Sequence, residues 1–189
     1  MRDINVGGLL VRSSRFKVQG PMSLGSGRAW EQRSKGAVRM EESKKIYLDV
    51  CALARPFDDV SFIRIGLEAE AVNLILAHVH KLLYQIVFSP VHVREISDMT
   101  EDYQREQLLT FLKEHCASVR WNLSQIRARA EELYIKGLGI ADAAHVAFAE
   151  FARANFITCD DRLIKKCKKL NLDIWVGNPI AFCEKEALR

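Results

Sequence analysis

From Lys44 onward, short apolar runs alternate with longer stretches whose apolar positions recur every three or four residues. Residues 45–49, 85–89, 155–160 and 174–176 are runs of strand length, and the first and third end in a carboxylate. Between the first two, a helix is expected over 63–83, with Val72, Ile75, Leu76, Val79 and Leu83 as its buried stripe. Pro90 suits the first turn of the next helix, which carries Val91, Val93, Glu95 and Ile96. Another helix is expected over 102–116, followed by a connector or short strand at 119–123. Ser124 then caps a helix ending near Gly137. The alanine-rich segment 141–154 reads as a helix lying close against a sheet, and 162–170 as a short helix. Residues 179–183 read as a closing turn or helix. Strands that alternate with helices imply a parallel sheet covered on both faces, an α/β fold.

The first forty residues break this texture. They hold six of the ten glycines and show no sustained period, so 1–43 is expected to be a disordered or dispensable extension of a domain at 44–184. A true start at Met22 or Met40 is the favoured explanation, and a tail that binds RNA or a membrane surface weakly is the alternative. Residues 1–39 carry eight Lys or Arg against two acids, whereas the whole chain has a net charge of +4. Residues 40–189 therefore sum to −2, the +4 of the whole chain less the +6 of this segment, so the body carries no broad basic field, and a polyanion must be held by local patches or by metal. The five cysteines are scattered and form no CxxC pair. Neither a disulfide framework nor a zinc site is suggested, and reduced thiols in the cytoplasm are the simplest reading. No stretch is apolar enough to span a bilayer, and no signal peptide is recognisable, so no membrane association is expected.

Topology gives the carboxylates their meaning. In an open parallel sheet the functional crevice lies beyond the carboxyl ends of the strands. Asp49 and Asp160 each end a strand there. Glu95 lies on the helix just after the second strand. Asp142 lies in the first turn of the helix that leads down to the third strand, so it starts from the same edge. Gathered like charges raise one another's pKa and destabilise a fold unless a cation neutralises them. Mg²⁺ and Mn²⁺ prefer oxygen ligands and keep open positions for a phosphate, and metals so held activate water and stabilise a leaving oxygen. Each acid also has a structural alternative: Asp49 and Asp160 as helix caps, Asp142 as a first-turn acid facing the helix dipole, and Glu95 as a surface residue.

Weaker candidates surround these four. Glu68 stands on the apolar side of its helix and is expected either to reach the site or to pair with Arg55 or Arg64. Glu70 faces solvent. His145, one turn after Asp142, is read as a satisfied, partly buried histidine in preference to a substrate contact. Arg162, Lys165, Lys166, Lys168 and Lys169 form a basic stretch that either grips a phosphate backbone or is a solvated face. Trp121 and Phe57 are expected in the core or an interface. No phosphate-binding Gly-rich loop is present, and Gly137-Leu-Gly139 lacks a preceding strand, which argues against a nucleotide-binding enzyme or phosphatase.

Four segments together resemble the PIN-domain family. Ile46-Tyr-Leu-Asp-Val-Cys-Ala-Leu-Ala-Arg-Pro-Phe-Asp-Asp59 is similar to its opening motif, especially in a prokaryotic branch with Arg-Pro-Phe-Asp-Asp. Val87-Phe-Ser-Pro-Val-His-Val-Arg-Glu95 is similar to its second. Gly139-Ile-Ala-Asp-Ala-Ala-His145 resembles the third, and Ile157-Thr-Cys-Asp-Asp161 the fourth. The resemblance spans about residues 45–182. It implies a three-layer α/β/α sandwich and a Mg²⁺- or Mn²⁺-dependent endoribonuclease with Asp49, Glu95, Asp142 and Asp160 as catalytic and metal-binding quartet and Thr158 in support. Many small prokaryotic members are toxins of toxin–antitoxin pairs, so RNA, an antitoxin protein and a second copy in a homodimer are the implied partners. Cys51 departs from the pattern, since Asn or Ser is frequent there. A catalytically idle PIN-like module that binds RNA or protein is the competing expectation.

Overall fold

The computed structural model describes residues 44–117 and 119–189; the expected extension at 1–43 lies outside them. Five strands form one parallel sheet: β1 (Lys44–Leu48), β2 (Tyr84–Val87), β3 (Cys116–Ala117), β4 (Asn155–Ile157) and β5 (Val176–Gly177). Their order is β3-β2-β1-β4-β5. Connections from β1 move outward through β2 to β3, and the chain then returns to the other side of β1. The order thus reverses between β1 and β4, the place where an α/β sheet opens a crevice at its carboxyl edge. Register sets Leu48 beside Ile157, and the Asp49 amide donates to the Ile157 carbonyl at 2.8 Å.

The strand period of two divides the core. Ile46, Leu48, Ile86 and Ile157 face one layer, while Tyr47, Val87 and Phe156 face the other. The first layer contains α1 (Val50–Leu53), α2 (Ile63–His80), α4 (Asp102–His115) and α8 (Pro179–Glu186). The second contains α5 (Leu123–Ile135), α6 (Ile140–Ala152) and α7 (Asp161–Cys167). Between them, α3 (Pro90–Ser97) sends Ile96 to the first core and Val91 to the second. This is the expected three-layer α/β/α sandwich. Ala143, Ala147, Ala149 and Ala152 are all buried, which lets the α6 backbone lie close to the sheet. Among the described residues no helix is long and apolar enough to cross a membrane.

Several boundaries differ from the sequence reading. Of the two alternatives for 119–123 the connector holds over 119–122, where Val119 and Trp121 pack into the second core, Trp121 edge-on against Phe148 at 5.0 Å, while the edge strand lies earlier, at Cys116–Ala117. Asn122, not Ser124, caps α5: its side chain accepts the Gln125 amide at 3.3 Å, while Ser124 donates to Asn122. The stripe on α2 holds for Val72, Ile75 and Val79, but the helix stops at His80. Leu82 turns left-handed at φ 59° and leaves Leu83 outside the core. The last helix runs to Glu186, two residues beyond the expected domain end.

Phe156 is fully buried on the central strand β4, where it packs against Tyr47. Truncation to alanine both removes transfer energy and leaves a cavity, so Phe156→Ala is expected to cost about 3–5 kcal/mol. Urea unfolding followed by circular dichroism measures it as a lowered midpoint at unchanged slope.

Candidate functional site

The carboxyl edge of β1 and β4 carries the acids. Asp49 follows β1 directly and occupies the cap position of α1, yet its side chain makes no capping bond. Its carboxylate turns instead toward β4. Asp49 Oδ2 accepts the Thr158 hydroxyl at 2.7 Å and the Cys51 thiol at 3.2 Å. Thr158 is itself fully buried and also receives the Asp160 amide at 3.2 Å. One hydroxyl thus ties the two strand-end acids into a single frame.

Asp160 has a double role. Its Oδ1 accepts the amides of Arg162 and Leu163, capping α7, while its Oδ2 has no hydrogen-bond partner among the described residues. Asp142 is the third residue of α6. Burial first, then the charges of Asp49 and Asp160, hold its carboxyl above the usual range, while the Gly139 amide and Lys166 pull it back. Gly139 matters sterically as well, because a Cβ there would lie 2.9 Å from Asp142 Oδ2. Glu95 comes from α3, where its Oε2 lies 3.0 Å from His145 Nε2. Asp142 therefore feels the charges of both Asp49 and Asp160, and Glu95 is linked to Asp49 through His145.

His145 is satisfied, as expected, but by the site itself. Its Nε2 also lies 3.7 Å from Asp49 Oδ1, and its side chain is only 3% exposed. Burial pushes its imidazole down, but the Glu95 hydrogen bond and the charges of Asp49, Glu95 and Asp142 outweigh this and raise its pKa. On the far side, Nδ1 lies 2.8 Å from the Tyr47 hydroxyl, which is 2.7 Å from Ser89 Oγ. Ser89 in turn contacts His92 Nδ1 through both its amide and its hydroxyl. His92 Nε2 donates to the Leu48 carbonyl at 2.7 Å. Burial, then the His145 charge, lowers the His92 pKa to about 3, so this ring is neutral. The sequence offered a faint signal for His145, namely its place one turn after Asp142 on the sheet-facing side of α6. It offered none for Tyr47, which reads as an ordinary core residue.

The remaining candidates gather at a neighbouring cleft of about 470 Å³, lined by Arg55, Arg64, Glu68, Cys159, Asp160 and Arg162 among others. Glu68 does not join the quartet. It is 1% exposed and pairs with both arginines considered for it, Arg64 at 2.8 Å and Arg55 at 3.0 Å. The Arg55 contact lacks hydrogen-bonding geometry, and its buried Nε–H has no other partner among the described residues. Arg64 reaches across to Asp161 at 2.6 Å. Of the basic stretch, Arg162 lines the cleft and Lys166 acts on Asp142, while exposed Lys165 acts on Asp161.

The donors that come together suit a divalent cation: carboxylate oxygens of Asp49 and Glu95 with the His145 ring, while Asp142 and Asp160 stand outside this group. One atom each from Asp49, Glu95 and His145 lie within 4.8 Å of one another.

The raised Asp142 carboxyl has a stability consequence. A carboxyl with a higher pKa folded than unfolded contributes stability below its unfolded pKa, and that contribution is lost as pH rises through the folded value. Without divalent cations, Asp142→Asn is therefore expected to raise the unfolding midpoint at neutral pH. The gain should shrink toward zero as the buffer is taken below the wild-type carboxyl pKa. Thermal unfolding of both proteins across an acid-to-neutral pH series checks it. No protein-family model and no curated protein matches this chain, so the reading of the site rests on its geometry and its chemistry.

Proposed function

We propose that this chain is a PIN-type, divalent-metal-dependent endoribonuclease that hydrolyses RNA phosphodiester bonds. One observation carries the reading. Ligand atoms of Asp49, Glu95 and His145, from distant parts of the chain, lie within 4.8 Å of one another, and the Asp142 carboxyl, raised first by burial, is raised further by the charges of Asp49 and Asp160. Evolution-neutral packing has no use for such repulsion, whereas cation binding does.

The chain's own residues fix the donors. Thr158 aims Asp49, the Gly139 amide steadies Asp142, and the first amides of α7 hold one oxygen of Asp160. A bound Mg²⁺ or Mn²⁺ supplies Lewis acidity and lowers the pKa of water. Arg162, which lines the cleft beside Asp160, and Lys166, whose charge acts on Asp142, are the cations that would hold a phosphate backbone in this reading. The resemblance of the four motifs supplies RNA as substrate, and with it a homodimer and an antitoxin as partners to be sought.

The test is cleavage of a labelled RNA by the purified chain with Mn²⁺, with Mg²⁺ and with chelator. Metal-dependent cleavage is expected, abolished by chelator. Asp49→Asn combined with Asp142→Asn should leave the fold intact and reduce cleavage at least ~100-fold, since outer-shell changes alone cost ~10- to 100-fold at metal sites. Unchanged cleavage in that double variant removes the reading. Calorimetry that detects no Mg²⁺ or Mn²⁺ binding at millimolar levels would favour the idle RNA- or protein-binding module instead.

A further inference from the structure

His145 is more enclosed than any of the four acids, and its environment is that of a metal ligand. The ligand atoms of Asp49, Glu95 and His145 all lie within 4.8 Å of one another. Ligands bound ~2.0–2.2 Å from one ion stand roughly 3–4.4 Å apart, so this spacing fits a single cation with little movement. Histidine ligands are usually oriented by a hydrogen bond from the other ring nitrogen to a fixed acceptor. Here that partner is the fully buried Tyr47 hydroxyl, 2.8 Å from Nδ1.

The chain behind Tyr47 sets the tautomer. The Leu48 carbonyl only accepts, so His92 Nε2 carries the ring proton and His92 Nδ1 accepts. The direction that satisfies the contacts behind the ring then runs from His145 Nδ1–H to Tyr47, from Tyr47 to Ser89, and from Ser89 to His92 Nδ1. Nε2 itself faces two carboxylates, 3.0 Å from Glu95 and 3.7 Å from Asp49; without a cation it bonds to Glu95 as a donor, and a cation seated among the three would take the place of that proton. With that proton displaced, the Nε2 lone pair and the carboxylate oxygens of Asp49 and Glu95 form a donor set for a metal.

We infer that His145 Nε2 is a direct ligand of the cation held by Asp49 and Glu95, which makes the centre a mixed nitrogen–oxygen site that prefers Mn²⁺ to Mg²⁺. The preference follows from ligand chemistry, because imidazole binds first-row transition ions well and Mg²⁺ favours oxygen and water. The inference rests on the metal-dependent reading and assigns it a ligand that four carboxylates alone do not require.

Mn²⁺ titrated into the full chain, with pulsed EPR of the bound ion, tests it. The expected spectrum shows nitrogen hyperfine coupling that is lost in His145→Gln, with Mn²⁺ affinity lowered ~10-fold or more and Mg²⁺ affinity changed less. Bound Mn²⁺ without nitrogen coupling in the wild-type chain, or coupling that survives in His145→Gln, overturns the ligand assignment and leaves the carboxylate site standing. Absence of Mn²⁺ binding at millimolar levels overturns the metal-dependent reading itself, and the ligand with it.

Discussion

Mutual repulsion among carboxylates is the constraint around which this domain is arranged. Left alone, acids a few ångströms apart would take protons or push the strands' ends apart. Each is instead gripped by a donor that belongs to the fold. The Thr158 hydroxyl serves Asp49, the Gly139 amide serves Asp142, the α7 N-terminus serves Asp160, and the His145 ring serves Glu95. These donors lie just after β4, at the N-termini of α6 and α7 and on α6 itself, all beside the second core. The apolar packing of Tyr47, Phe156 and the α6 alanines therefore fixes the positions of the donors. The repulsion is contained without being removed: after burial, the charges of Asp49 and Asp160 are what hold the Asp142 carboxyl up.

The neighbouring cleft is governed by the opposite arrangement, close pairing of unlike charges. Glu68 would be costly to bury alone, yet it lies between Arg55 and Arg64, and Arg64 continues to Asp161 on α7. The wall next to the acids is thus locally balanced. Charge in this cleft is met residue by residue, in keeping with a body whose acids and bases nearly balance.

Much of this was legible in the sequence because it follows from periodicity and topology. Apolar runs ending in Asp49 and Asp160 announce strand ends, and a parallel sheet brings such ends to one edge. The alternatives left open for Asp160 turn out to coexist, since one of its oxygens caps α7 while the other remains available. The anomaly of Glu68 on an apolar stripe was readable, and ion pairing with the two named arginines resolves it. Other features were hidden for physical reasons. A two-residue edge strand such as β3 has no period to detect. Trp121 is apolar in either a strand or a connector, and only its packing against Phe148 decides. The chain from His145 to His92 depends on ring orientations across three elements, which no spacing along the sequence encodes.

The pairing of β1 with β4 has a temporal consequence. Asp49 and the Thr158 that holds it are 109 positions apart, so their contact closes a loop that spans most of the domain. On a growing polypeptide, Asp49 emerges with β1, but nothing can hold it until Thr158 has followed. A nascent or truncated chain that stops short of β4 has its acidic residues scattered and their mutual repulsion absent. The constellation comes into being only when the final quarter of the molecule docks.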